Sequence, residues 1–297
     1  MLNLYNFDYA KLTLCLKNLT AQYPFLKMFS VGKSVMQRDI WCIKVGKGNK
    51  KILVIAAHHG LEWITSALAV GFVRDFSYCL RNNMVFEDEM AYDIYSRGEY
   101  YIIPMLNPDG VDIVINSIDK SHPFFESVNS IASPDRIPYL WQANIRGVDL
   151  NHNYDCRFQE GVILAQKEGI TAPHYTRFSG NHPFSEPETL SIKDLCEKTV
   201  FHSSLAFHTQ GEVIYPGNWM DKKYISVSKA LSDVSGYELS VAQGVADCSG
   251  FKDWMMDKLN IPSFTIEFGM GKNPLPFSQF EKMKKPCYNV MKEISKH

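Results

Sequence analysis

Lys51-Ile-Leu-Val-Ile-Ala-Ala-His-His-Gly-Leu-Glu-Trp-Ile-Thr65 is the stretch whose reading decides the fold. Residues 51–57 form a continuous apolar, β-branched run, as expected of a strand buried on both faces. The run ends at His59-x-x-Glu62, an imidazole and a carboxylate three residues apart that can face one cleft. Such a pair arises often by chance. It gains meaning when other strand ends supply matching groups.

Working outward, residues 8–22 carry apolar positions at helical spacing, and strands are expected over 27–31 and 39–45 with a turn at Val31-Gly-Lys-Ser34. Helical periodicity returns over 65–83. A second buried strand over 99–106 stops at Asn107-Pro-Asp-Gly110, a strong turn signal. Residues 111–145 read as irregular and polar, and 148–150 as a short strand. A helix over 186–196 opens at Ser185-Glu-Pro-Glu188, with a cap and acidic first turn. Strands over 200–207, 212–215 and 263–268 and a closing helix over 278–295 complete the pattern. Strands alternating with helices predict an α/β fold: a three-layer α/β/α arrangement, the central sheet mixed and mostly parallel, in a single domain spanning 1–297.

Composition narrows the function classes. Hydrophobic residues make up 45% and charged residues 21% of the 297, ordinary for a globular protein. A net charge of −1 gives no broad electrostatic reason to expect nucleic acid or an acidic membrane as partner. The 7 cysteines include no C-x-x-C pair and are odd in number, which argues against a disulfide framework and for a reducing, cytoplasmic compartment. The first residues show no basic region, apolar core or cleavage site of a secretory signal, and no apolar stretch is long enough to span a bilayer.

In open α/β sheets, ligands bind beyond the carboxyl ends of the strands. The expected strand ends deliver His59 and Glu62, then Asn151 and His152, then His208, then Glu267. Two imidazoles and a carboxylate with a vacant fourth position make a catalytic rather than a structural zinc site. A further carboxylate, Glu267, can take a proton from water.

These residues resemble the zinc carboxypeptidase family, of the carboxypeptidase A type, over almost the whole chain. The resemblance is carried in order by Tyr23-Pro24, Val31-Gly-Lys-Ser34, His59-Gly-Leu-Glu-Trp-Ile-Thr65, Asn107-Pro-Asp-Gly110, Gly147-Val-Asp-Leu-Asn151, Ser185-Glu-Pro-Glu-Thr189, Phe207-His208, Asp253-Trp254 and Thr265-Ile-Glu-Phe268. It implies one zinc ion held by His59, Glu62 and His208, with Glu267 as general base. It also implies that Asp149 orients His59 and that Asn151 binds a substrate carboxylate.

Departures from the family pattern shift the expected substrate. The arginine that clamps a C-terminal carboxylate is replaced by His152, which lacks the planar five-donor fork. The mobile tyrosine's place falls near Val245. The oxyanion arginine's segment reads Trp141-Gln-Ala-Asn144, which leaves Arg146 or Gln142 for that role. Lys252 stands where the floor of the specificity pocket is set. Gly269-Met-Gly-Lys-Asn-Pro-Leu-Pro276 resembles the bacterial branch that contains γ-D-glutamyl–diaminopimelate peptidases. The expected function is hydrolysis of peptidoglycan stem peptides at γ-D-glutamyl–diamino acid bonds in the cytoplasm. The alternatives are a metallocarboxypeptidase of ordinary peptides and an inactive, zinc-dependent wall-peptide-binding protein. The sequence leaves the oligomeric state open.

Overall fold

A computed structural model describes residues 4–131, 139–217 and 222–297. Residues 132–138 of the stretch expected to be irregular, and 1–3 of the N-terminal stretch, lie outside the described residues. In chain order the elements are α1 (Tyr9–Gln22), β1 (Lys27–Lys33), β2 (Asp39–Gly46), β3 (Lys50–Ala56), α2 (Ile64–Arg81), β4 (Val85–Phe86), β5 (Glu89–Met90) and α3 (Ala91–Arg97). Then come β6 (Gly98–Ile103), α4 (Pro108–Asn116), α5 (Phe125–Ile131), α6 (Phe158–Lys167), α7 (Pro187–Lys198), β7 (Ser203–His208) and β8 (Val213–Pro216). The chain closes with α8 (Lys222–Ser235), β9 (Glu238–Leu239), α9 (Phe251–Asp257), β10 (Ser263–Glu267) and α10 (Phe280–Ile294).

The main sheet has eight strands in the order β1-β2-β6-β3-β7-β10-β8-β9. Its centre, β6-β3-β7-β10, is wholly parallel. The β1-β2-β6 side and the β10-β8 pair are antiparallel. This is the expected mixed sheet, and the alternation within β3 shows why it is covered twice. Ile52, Val54 and Ala56 pack with Leu205, Phe207, Ile266 and residues of α1, α2 and α10 on one face. Leu53 and Ile55 pack with Ile103, Ala206, Ile192 of α7 and Trp254 of α9 on the other. A strand apolar on both faces must be sandwiched between helices, which is the three-layer arrangement.

The chain leaves β3 to form β6 on one side and later returns to form β7 on the other. The two crossovers diverge, so a topological switch point lies at the carboxyl end of β3, where ligand crevices open.

Two expectations are corrected. Residues 148–150 form no strand: Asn144 Oδ1 accepts from the N–H of Arg146 and Val148, Gly147 turns at φ +77°, and a 3₁₀ turn follows at Leu150–His152. Local bonds bend the backbone here, and its long-range bonds run from the N–H of His174 to Gly147 O and from Asp149 N to Phe178 O, so it pairs with that segment and not with the main sheet. Asn107-Pro-Asp-Gly110 is more than a turn. Asn107 caps α4 by accepting from the N–H of Gly110 at 2.9 Å, Pro108 sits in its first turn, and helix occupies part of the stretch read as irregular.

The turn after β1 is held by two buried carboxylates. Asp109 accepts from Ser34 Oγ, Met36 N and Arg38, and Glu188 of α7 accepts from Val35 N at 3.1 Å. Burial first, then the neighbouring Asp109 and Glu186 carboxylates, push Glu188 up to about 8. Its folded pKa therefore lies above the ordinary 4.5. Below pH 4.5 both states are protonated. Above it the unfolded chain loses a proton that the folded chain keeps, so stability falls as pH rises towards 8, by at most about 5 kcal/mol. Glu188→Gln is expected to match the parent's melting temperature near pH 5 and to exceed it at pH 8. Parallel melting profiles for the two proteins would contradict this.

Candidate metal centre

The exit from β3 is built to present His59 and Glu62. Thr65 Oγ1 accepts from Ala57 N and donates to Glu62 O, closing the loop on itself. Asn107 Nδ2 reaches three carbonyls, of His58, Gln142 and Ala143, and so ties the exits of β3 and β6 to the 141–144 segment. Gly60 is required by close approach: a Cβ there would stand 2.5 Å from Gly110 O.

His59 Nδ1 lies 3.0 Å from Glu62 Oε1, and His208 Nδ1 lies 3.0 Å from Glu62 Oε2. One donor atom from each of the three residues falls within 4.8 Å of the others. His208 is the last residue of β7 and pairs in register with Glu267, the last residue of β10. Glu267 Oε2 is buried with no hydrogen-bond partner. Burial and the Glu62 carboxylate push Glu267 well above the usual carboxylate range. Burial also disfavours ionised Glu62, yet His59 and His208 draw it down to about 2. The donor set suits zinc: two imidazole Nδ1 atoms and a carboxylate, converging from two strand ends, with an unpartnered carboxyl beside them.

Asp149 accepts from His59 Nε2 at 3.2 Å, which leaves Nδ1 to face Glu62. Asp149 is itself fixed by the N–H of Arg177 at 2.8 Å and of Asn151 at 3.1 Å. Burial would raise its pKa, but His59, His152 and the hydrogen bonds hold it well below the usual range. His58 lies in the core, its ring stacked on His208 at 5.3 Å, with Nε2 on the Tyr154 hydroxyl.

These groups open into a cleft of about 620 Å³. Asn151, His152, Lys252 and Gln142 line it, as does Asn273 of the Gly269–Pro276 stretch and as do Arg177, Gln210 and Tyr215, for which the sequence offered no motif. Asn151 Oδ1 accepts from Phe251 N, and His152 Nδ1 lies 3.2 Å from Cys248 O. Arg146 is not on the cleft wall; its half-exposed guanidinium lies 3.5 Å from Glu186. Gln142 is on the wall, with Oε1 accepting from Thr176. The ammonium of Lys252 is held by Asp253, so it offers no free cation. At the place of the missing tyrosine, Val245 is buried in a 3₁₀ turn, and Ala242, Gln243 and Ala246 line the cleft instead.

The description of the zinc carboxypeptidase family matches residues 12–287. The chain belongs to that family. It is 33% identical over 287 residues to gamma-D-glutamyl-L-diamino acid endopeptidase 1 of Lysinibacillus sphaericus, covering 96% of this chain and 71% of that protein. It is 30% identical over 269 residues to the uncharacterized protein YqgT of Bacillus subtilis, covering 89% and 70%. Among solved structures, thrombin activatable fibrinolysis inhibitor superposes with a TM-score of 0.76 at 18% identity, over 98% of this chain and 73% of that one. Murein-tripeptide amidase MpaA from Escherichia coli O157 superposes at 0.57 and 17% identity, over 91% and 92%. Membership makes the chain a zinc-dependent hydrolase of the peptidase class. Among the described residues, no helix is long and apolar enough to cross a membrane.

Asp149→Asn keeps the size of the side chain but removes the charge that holds the His59 ring. Zinc affinity, read by competition with a chromophoric chelator, is expected to fall about 10- to 100-fold. Unchanged affinity would show that the His59 orientation does not depend on Asp149.

Proposed function

We propose that this chain binds one zinc ion through His59 Nδ1, Glu62 and His208 Nδ1 and hydrolyses γ-D-glutamyl–diamino acid bonds in peptidoglycan-derived peptides. The observation that carries this reading is an unpartnered Glu267 carboxyl beside the three donors, in a cleft where the carboxylate clamp is His152. A relative matched over 96% of the chain carries the corresponding activity in its name.

Zinc on such a set supplies Lewis-acid activation of water and of the scissile carbonyl. Glu267, whose pKa is raised by burial, takes the proton from the attacking water and returns it to the leaving amine. Asn151 and the Nε2 of His152 orient a substrate carboxylate. With Arg146 engaged by Glu186, the amide N–H of Gln142 is the donor we assign to the developing oxyanion. All seven cysteines are free, which supports a cytoplasmic site and a role in wall-peptide turnover.

The zinc-loaded protein is expected to release meso-diaminopimelate from L-Ala-γ-D-Glu-meso-diaminopimelate, identified by mass. Glu267→Gln should lower kcat by about 10³-fold or more while zinc stays bound. Cleavage confined to ordinary α-linked peptides would overturn the reading, as would binding of the tripeptide without any cleavage.

A further inference from the structure

Glu267 is followed directly by Phe268 and the Gly269–Pro276 stretch, and three sets of contacts fix the course of this segment. At its base, Phe268 N donates to His208 O at 2.9 Å and Gly211 N donates to Gly269 O at 2.8 Å. Gln279 bonds the backbone of Met270 through both atoms of its amide. Further on, Asn273 grips one residue twice: Oδ1 accepts from Thr209 Oγ1 and Nδ2 donates to Thr209 O, each at 2.8 Å. Thr209 is buried and directly follows the donor His208. Beyond Asn273 the chain runs through Pro274-Leu-Pro276 to Phe277, whose ring stacks on Trp63 with centroids 6.2 Å apart and planes 12° apart. Trp63 directly follows the donor Glu62.

Two exits that carry metal donors therefore meet at one short segment. His208 reaches it through Thr209, and Glu62 reaches it through Trp63. The span between the two anchors is stiff, because Pro274 and Pro276 have fixed φ and Leu275 between them is buried in the core. Gly269, at φ +70°, permits the tight turn at the start, where a Cβ would stand 2.7 Å from Leu275 and Met283.

Such a tie has work to do. The ladder between β3 and β7 extends only to Ala56 and Phe207. Past it, Glu62 and His208 are joined by the hydrogen bond from His208 Nδ1 to Glu62 Oε2 at 3.0 Å. A cation that takes those two atoms replaces that bond, and contacts outside the donor set must then hold the exits in place. Outer contacts of this kind set how well donors are arranged before the ion arrives.

We propose that residues 269–277 act as a strap that sets the distance between the Glu62 and His208 halves of the zinc site, with Asn273 as its positioning residue. This rests on the proposed donor set and deepens it. The strap holds the residues that follow two donors and bonds no donor side chain itself.

The test reads metal binding rather than turnover. Zinc affinity is measured by chelator competition for the parent, Asn273→Ala, Phe277→Leu and the double variant. The visible spectrum of each cobalt-loaded protein reports its coordination geometry. Each single substitution is expected to weaken zinc binding about tenfold and to change the cobalt spectrum. Releasing either end frees the strap, so the double variant should bind about as weakly as the weaker single one. Contacts that acted separately would instead multiply to a loss of about a hundredfold. Thr209→Val, which removes the hydroxyl donor, should match Asn273→Ala and serves in its place if that variant does not fold. Thr209→Ser keeps the donor and should hold zinc as the parent does. Losses that multiply, or zinc affinity and cobalt spectrum unchanged in either single variant, would overturn the strap. A parent that binds no zinc removes the donor set itself; a parent that binds zinc there, with variants indistinguishable from it, removes the strap alone.

Discussion

The carboxylate of Glu62, shared between the Nδ1 atoms of two imidazoles, is the constraint on which the rest of this structure depends. A buried carboxylate is tolerated only when positive charge meets it. Here His59 and His208, each in hydrogen-bond contact with it, draw Glu62 down to about 2 against the cost of burial. Burial works against charge on His59 as well, but Glu62 and Asp149 hold its pKa well above the ordinary value. A divalent cation between these groups does the same electrostatic work and releases a proton as it binds. The arrangement is thus a cation site by charge balance as well as by donor type.

The fold supplies this geometry through the sheet. Diverging crossovers place the end of β3 next to the end of β7, and parallel pairing sets Glu267 level with His208. Asn107, with one amide reaching three carbonyls, locks the loop that carries His59 against the loop that carries Gln142. The second layer of support comes from Asp149, whose two oxygens serve His59 and the N–H groups of Asn151 and Arg177. Removing a member of this set leaves a buried polar group without a partner, which is why the supports are as demanding as the donors.

Much of this was legible in the sequence, and the reasons are physical. The runs in β3, β6, β7 and β10 are largely apolar, so period and composition reveal them, and those of β3, β7 and β10 lead to His59, His208 and Glu267. The segment before Asn151 misled because its β-branched residues suggest a strand, whereas Asn144 diverts its N–H groups into a turn. Arg146 and Arg177 show the limit of linear reading. The first belongs to a motif yet its side chain turns to Glu186, while the second belongs to none yet lines the cleft and holds Asp149 through its backbone. Lys252 reads as a cation until its neighbour Asp253 is seen to hold it. Adjacent residues on a helix seldom meet side by side, so that pairing needed coordinates.

The central claim is most directly tested by locating the metal. Anomalous diffraction at the zinc edge from zinc-soaked crystals is expected to show one strong peak bonded to His59 Nδ1, His208 Nδ1 and the Glu62 carboxylate, with Glu267 outside the bonding distance. A peak bonded through His59 Nε2, or a principal zinc site elsewhere on the chain, would contradict the account.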